Sequence, residues 1–379
     1  MALRVLHVYK DYAPVIGGIE NHVRLLAEGQ AARGLEVTVL VTNTSARTIE
    51  ERRGGVRVVK AARLGEAAST PLSLRFFREI ARLESDVMHL HSPYPPAEIG
   101  ALVFRPRTPC ILTYHSDVVR QRWMMKVYGV VLRRILRRAD RIIAASANLA
   151  ASSPFLRAAA GRCEVIPHGI DAARFDRPAA SAVETIRRRH RPPIVLFVGR
   201  LRYYKGLDYL LQAMRDVGAT LLVAGTGAME GAWRTLAANL GLADRAVFLG
   251  DVPDEELPAY YSACEVFVLP ASHRSEAFGL VQLEAMAARR PVVSTELGTG
   301  TSFVNVHGET GLVVPPRDPG ALASAISSLL RDPDRRRAMG EAGGRRVAAE
   351  FSADRMIDRI IELYGAVQGR SARVDGMRC

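Results

Sequence analysis

The chain has 379 residues, 48% of them hydrophobic and 24% charged, long enough for two cores of ordinary size and too apolar for a disordered polypeptide. Its net charge of +13 is uneven: residues 1–180 hold 27 basic against 16 acidic residues and the remainder 25 against 23, so one half is expected to face something anionic, nucleic acid or acidic lipid. No apolar run of about 18 residues predicts a transmembrane helix, the N-terminus enters strand-like sequence without a signal-peptide pattern, and Cys110, Cys163, Cys264 and Cys379 form no C-x-x-C pair that would suggest zinc or a disulfide framework. A cytoplasmic protein is the expectation.

Arg4 to Val8 reads as a strand, followed by Gly17-Gly18, a helix from about Asn21 to Arg33 closed by Gly34, and a second strand from Val37 to Val41. This is a βαβ unit, and the glycine pair lets backbone approach a ligand at the strand's carboxyl end. It is not G-x-G-x-x-G, so a plain tight turn remains the alternative. Further strands are predicted at Val56 to Val59, Val87 to Leu90, Cys110 to Thr113, Ile142 to Ala145 and Glu164 to Ile166, with helical patterns between most of them, which indicates a mostly parallel sheet. His115 directly follows one of these strands, where doubly wound folds place ligands.

Residues 120–141 carry an amphipathic pattern. At about 100° per residue, Arg122, Lys126, Arg133 and Arg137 share one face, Met124, Val127, Val131 and Ile135 another, and Trp123 lies towards the basic side. Such a pattern fits a core-packed helix with a solvated basic face as well, but the charge asymmetry favours an anionic membrane surface, and the first domain is expected to dock there through this helix. The Pro-, Ala- and Arg-rich stretch from Arg177 to Pro193 is the best linker candidate.

The alternation then repeats: strands are predicted at Ile194 to Val198, Thr220 to Ala224, Ala246 to Leu249, Val266 to Leu269, Val292 to Ser294 and Leu312 to Val314. After the first of these, Arg200 and Lys205 flank a strand-to-helix turn, where two cations can neutralise a diphosphate. Gly225 lies in a glycine turn after the second strand, and Val252 follows the third. In Ser275-Glu276-Ala277-Phe278-Gly279-Leu280-Val281-Gln282-Leu283-Glu284, Glu276 is placed just before a helix and Glu284 about one turn inside it. The N–H groups at Phe278, Gly279 and Leu280 suit a phosphate, and the carboxylates suit sugar hydroxyls. A capping Glu276 and a solvated Glu284 are the alternative. Asp332-Pro333-Asp334 satisfies D-x-D, but it precedes a helical run and reads as a cap, not a metal site. Ala353 to Val367 is a last helix, and Arg370 to Cys379 a frayed tail.

Glu276 and Glu284 resemble the E-x7-E motif of retaining glycosyltransferases of family 4, Arg200 and Lys205 that family's R-x4-K clamp, and Pro167-His168-Gly169-Ile170-Asp171 its P-N-G-I-D segment with histidine for asparagine. Arg289-Arg290-Pro291 and Gly298-Thr299-Gly300-Thr301 depart from the family pattern, and residues 296–312 resemble a subgroup adding mannose or D-rhamnose from GDP-sugars to a polyprenyl-diphosphate-linked saccharide. The resemblance implies a GT-B fold, two Rossmann-like domains facing a cleft: 1–180 binding acceptor, 181–352 binding the nucleotide sugar, and 353–379 crossing back to the first. It further implies retention without an essential metal, no cofactor beyond the GDP-linked donor substrate, and peripheral attachment to the inner face of the cytoplasmic membrane. In the implied mechanism Arg200 and Lys205 stabilise the leaving diphosphate, Glu276 orients the sugar, Glu284 holds the ribose and His115 positions the reacting sugar. Gly225, Val252, Phe278, Gly279 and Leu280 complete the donor contacts, and Gly17 and Gly18 face the donor diphosphate or the acceptor. An epimerase of the same architecture is the enzymatic alternative, told apart by altering the donor with no acceptor present. An RNA-binding protein is the other, though no RRM, KH or zinc-finger pattern supports it.

Overall fold

The computed structural model describes residues 2–15, 17–67, 70–105, 107–117 and 125–375. The short apolar runs become parallel strands because most are buried on both faces, as the near-continuous burial of β1 (Arg4–Val8), β2 (Glu36–Thr42) and β4 (Val56–Ala61) demonstrates. With β3 (Ile49–Arg53), β7 (Val87–Ser92), β8 (Cys110–Tyr114), β9 (Arg141–Ala144) and β10 (Cys163–Val165) they form one sheet ordered β10-β9-β8-β7-β1-β2-β4-β3. Its pairs are parallel except β3 with β4. The exposed, charged β3 and the small ribbon of β5 (Gly65–Ala67) and β6 (Thr70–Leu72) were not anticipated, since neither carries the apolar run that marks the other strands.

Four helices of this first unit matter below: α1 (Gly18–Ala32), α2 (Leu74–Arg82), α3 (Pro95–Phe104) and α4 (Met125–Arg138). Helix α1 buries His22, Val23, Leu26, Ala27 and Gln30 at the i, i+4, i+8 spacing of one face. The last helix, Ala353–Asp375, joins α1 over a cluster of Val5, Leu26, Val87, Ile111, Ile360 and Tyr364. It continues through Arg370, where a frayed tail was expected; residues 376–379 lie outside the described residues.

The second unit is a six-stranded, wholly parallel sheet of β11 (Ile194–Val198), β12 (Thr220–Ala224), β13 (Ala246–Gly250), β14 (Val266–Leu269), β15 (Val292–Thr295) and β16 (Gly311–Val314), ordered β13-β12-β11-β14-β15-β16. The chain divides into Met1–Gly169 with Ala353–Cys379, and Ile170–Ser352, earlier than the boundary at 180. The expected linker is instead a helix, Ala180–His190, fastened to the second unit where Arg187 reaches Glu265 at 2.7 Å and the Ala263 carbonyl. Its Ala and Arg residues are helix formers, and the prolines lie outside its span.

Candidate functional site

In each sheet the strand order reverses once, at β7/β1 and at β11/β14, and chains leaving two such neighbours diverge to open a crevice at their carboxyl ends. The loops after β11 and β14 nevertheless touch before they part. Ser272 N–H donates to the Tyr204 carbonyl at 2.8 Å, and a Cβ at Gly206 would overlap the Pro270 carbonyl oxygen, so glycine with φ 67° is required there. This close approach sets Lys205 against Glu276, Nζ to Oε2 at 2.7 Å, with their side chains 11% and 10% exposed. Burial alone would lower the Lys205 pKa, but the Glu276 charge, with Tyr204 and Glu284 behind it, raises it above the ordinary value, so the ammonium stays charged. Arg200, on the same loop, is exposed.

Glu276 sits in the loop before the helix Leu280–Ala287, as its sequence position predicts, with Gly279 at φ 78° as N-cap and Phe278 buried. Glu284 is inside that helix, and one oxygen accepts from the Tyr261 hydroxyl at 2.6 Å. Burial raises the Glu284 pKa and the Tyr261 bond opposes the rise. Threonines supply what a motif reading missed: buried Thr299 donates to the Glu276 carbonyl at 2.8 Å, and buried Thr301 to that of Thr295 at 3.1 Å. Gly298-Thr299-Gly300-Thr301, noted from sequence as a departure, thus braces the Glu276 loop. Behind Arg200, a Cβ at Gly225 would overlap the Gly199 carbonyl oxygen, so two glycine turns lie back to back; half-buried Val252 follows β13.

In the first unit, Gly17 caps α1 and Gly18 is its first residue. His115 leaves β8 buried and belongs to a group that single-residue inspection did not find: His7, His22, His89, His91 and His168 are buried with it. Burial lowers the pKa of all six, to about 4 for His7 and His168 and well below the ordinary value for the rest, so the rings are neutral.

The amphipathic helix begins, as described, at Met125. Arg122, Trp123 and Met124 lie outside the described residues, as do the side chains of Lys126 and Val127. Ile135 is fully buried and Val131 packs on the same core, so this apolar face turns inward and leaves Arg133 and Arg137 exposed. Val130 of α4 is exposed beside them, but most of the exposed apolar side chains of this unit are elsewhere. Leu72, Leu74, Ile99, Val103 and Phe104 are exposed on or beside α2 and α3, around an open groove of about 520 Å³ lined by Phe77, Arg78, Ala81, Arg82 and Phe104.

Residues 16–174 match the family described as Glycosyltransferase Family 4, and residues 181–346 that described as Glycosyl transferases group 1. The chain is 38% identical to the D-rhamnosyltransferase WbpZ of Pseudomonas aeruginosa, over 93% of each chain. The chain belongs to the family 4 glycosyltransferases. Another member, O-antigen chain mannosyltransferase C of Escherichia coli, is 36% identical over 96% of this chain and 98% of its own. Among solved structures, sucrose-phosphate synthase from Thermosynechococcus elongatus superposes with a TM-score of 0.84 at 28% identity, covering 97% of this glycosyltransferase and 100% of that chain. The expected GT-B fold class, α/β with Rossmann-like parallel sheets, holds.

Proposed function

We propose that this glycosyltransferase moves mannose or D-rhamnose from a GDP-sugar to a polyprenyl-diphosphate-linked saccharide, with retention of configuration and without an essential metal, in cell-surface polysaccharide assembly. The observation that carries the reading is the Lys205–Glu276 pair at the β11/β14 reversal, a fixed cation and a fixed carboxylate on neighbouring loops. The donor diphosphate lies against Lys205, Arg200 and the N–H groups at Phe278, Gly279 and Leu280; the carboxylate of Glu276 takes sugar hydroxyls and that of Glu284 the ribose. As the glycosidic bond breaks, charge grows on the diphosphate, and cations already in place stabilise it without reorganisation. His115 accepts from a hydroxyl of the reacting sugar. The names of the two bacterial relatives support the sugar and the pathway.

Thermal protection by GDP-mannose and GDP-D-rhamnose, but not by UDP- or ADP-glucose, is expected, and NMR of the product should give the donor's anomeric configuration. Inversion, or equal protection by UDP-glucose, overturns the reading; donor conversion without an acceptor returns the epimerase. Arg200→Ala and Lys205→Ala should each weaken GDP by about 1.5–3 kcal/mol in calorimetry while leaving guanosine binding unchanged.

A second proposal follows from the exposed surface: the first unit docks on an anionic bilayer through α2 and α3. Exposed Leu74, Val103 and Phe104 enter the headgroup layer, while exposed Arg78 meets anionic lipid at about 1 kcal/mol near the surface; Arg82 beside it is already held by Glu79 at 2.8 Å. Leu74→Ser with Phe104→Ser should abolish sedimentation with phosphatidylglycerol vesicles. If Arg133→Glu with Arg137→Glu does so instead, α4 is the docking face.

A further inference from the structure

The buried histidines are aligned by the sheet. Side chains repeat every second residue along a strand, so His7 on β1, His89 and His91 on β7, and Thr113 with the following His115 share the face that carries Val5, Val87 and Ile111, beneath α1 and the last helix. On that face the ring nitrogens make an unbroken series. Gln30 Oε1 meets His7 Nε2 at 2.8 Å, His7 Nδ1 meets His91 Nε2 at 3.1 Å, and His91 Nδ1 meets His115 Nε2 at 3.1 Å. His115 Nδ1 ends the series, buried and with no hydrogen-bond partner.

The proton positions follow. Each neutral imidazole carries one N–H and one lone pair. Gln30 Nε2 donates to the Tyr364 hydroxyl at 3.0 Å, so its carbonyl oxygen faces His7 and only accepts. His7 must therefore hold its proton on Nε2, which leaves Nδ1 bare to accept from His91 Nε2–H, and His91 Nδ1 in turn accepts from His115 Nε2–H. The hydroxyl of Tyr364, having accepted from Gln30, donates to His89 Nδ1 at 2.6 Å, and His89 Nε2–H donates to Thr113 at 2.7 Å. Turning the Gln30 amide over would reverse every bond and strand an N–H on His115 Nδ1, and a buried orphan N–H is rarer than an under-used acceptor.

We infer that Gln30, His7 and His91 form a relay that fixes His115 as the Nε2–H tautomer and so presents Nδ1 as the acceptor for a sugar hydroxyl. The sugar contact rests on the proposed function above; the tautomer does not. Gln30, His7 and His91 are positioning residues, touching no substrate. Nitrogens of His22, His91 and His115 lie within 4.8 Å of one another, and so do those of His7, His89 and His91, as in a metal site. His91 is common to both sets, and with Nε2–H donating to His7 and Nδ1 accepting from His115 it keeps no lone pair for a metal; no carboxylate is in either set to balance a dication.

Long-range ¹⁵N–¹H correlation spectra of the histidine rings should show His115 protonated at Nε2 in the wild-type enzyme. Gln30→Met, which removes the anchor, should mix the His115 tautomers and lower kcat about tenfold with KM little changed, and Gln30→Glu, which keeps an acceptor facing His7, should restore both. An Nδ1–H tautomer in the wild type, unchanged tautomer and kcat in Gln30→Met, or a stoichiometric transition metal in the purified enzyme overturns the relay. Full activity in His115→Ala would overturn the sugar contact alone, because the spectra read the relay independently.

Discussion

Lys205 and Glu276 neutralise each other out of water, so neither can be removed by itself without consequence. As a loop side chain beside a helix start, Glu276 fills little of the core, which by itself would make Glu276→Ala cheap. The structure alters that: the substitution strands a buried ammonium, a loss of about 3–5 kcal/mol in urea denaturation, beyond the loss of transfer. Pairing Glu276→Gln with Lys205→Met should recover most of the stability while transfer stays absent, and a Glu276→Ala protein as stable as wild type would mean the two charges are not coupled. The pH dependence has a definite sign. The folded-state pKa of Lys205 is raised, so its contribution is complete below the unfolded value near about 10.4 and disappears as pH climbs through the folded one. The difference in stability between wild type and Lys205→Met should therefore shrink as pH climbs into strong alkali.

At the scale of elements, the loops rely on glycine where two turns touch. Gly225 has φ 126° and abuts the Gly199 carbonyl, so Gly225→Ala must part the turn after β12 from the one after β11, which carries both Arg200 and Lys205. A destabilisation of about 1–3 kcal/mol is expected, followed through the fluorescence of buried Trp233, together with weaker GDP binding. The strands of this unit were legible because each is a short apolar run with a turn signal at its end; β11, β12 and β14 begin and end where their sequence pattern does. The charged β3 and the helix Ala180–His190 were not, since an edge strand needs no apolar run and a Pro-flanked, Ala- and Arg-rich segment reads alike as linker or helix. The candidate site divides similarly. Glu276, Glu284, Arg200 and Lys205 were visible as a spaced motif, whereas Thr299 acts through a distant backbone carbonyl and has no local signature. His89 and His91 did carry a signal, the alternate spacing that places two side chains on one strand face, but their partners His7 and His115 come from other strands.

Across the whole molecule, titratable burial is concentrated in the first unit. Its histidines have folded-state pKa values far below the ordinary 6.5, so the unfolded chain binds their protons first as pH falls. Each then removes roughly 1.4 kcal/mol per pH unit between about 6.5 and its folded value, near 4 for His7 and His168. Limited proteolysis at pH 5 should cut residues 1–169 before 170–352; the reverse order would contradict the buried neutral rings. The division of the chain has a further effect on how the protein is made. Residues 170–352 are one continuous stretch, but the first unit is closed by a helix that follows them, and Tyr364 of that helix completes the bonds to Gln30 and His89. During translation the second unit can therefore finish folding while the first, although synthesised earlier, waits on the ribosome with its polar interior unsealed, exposed to chaperones until Tyr364 emerges.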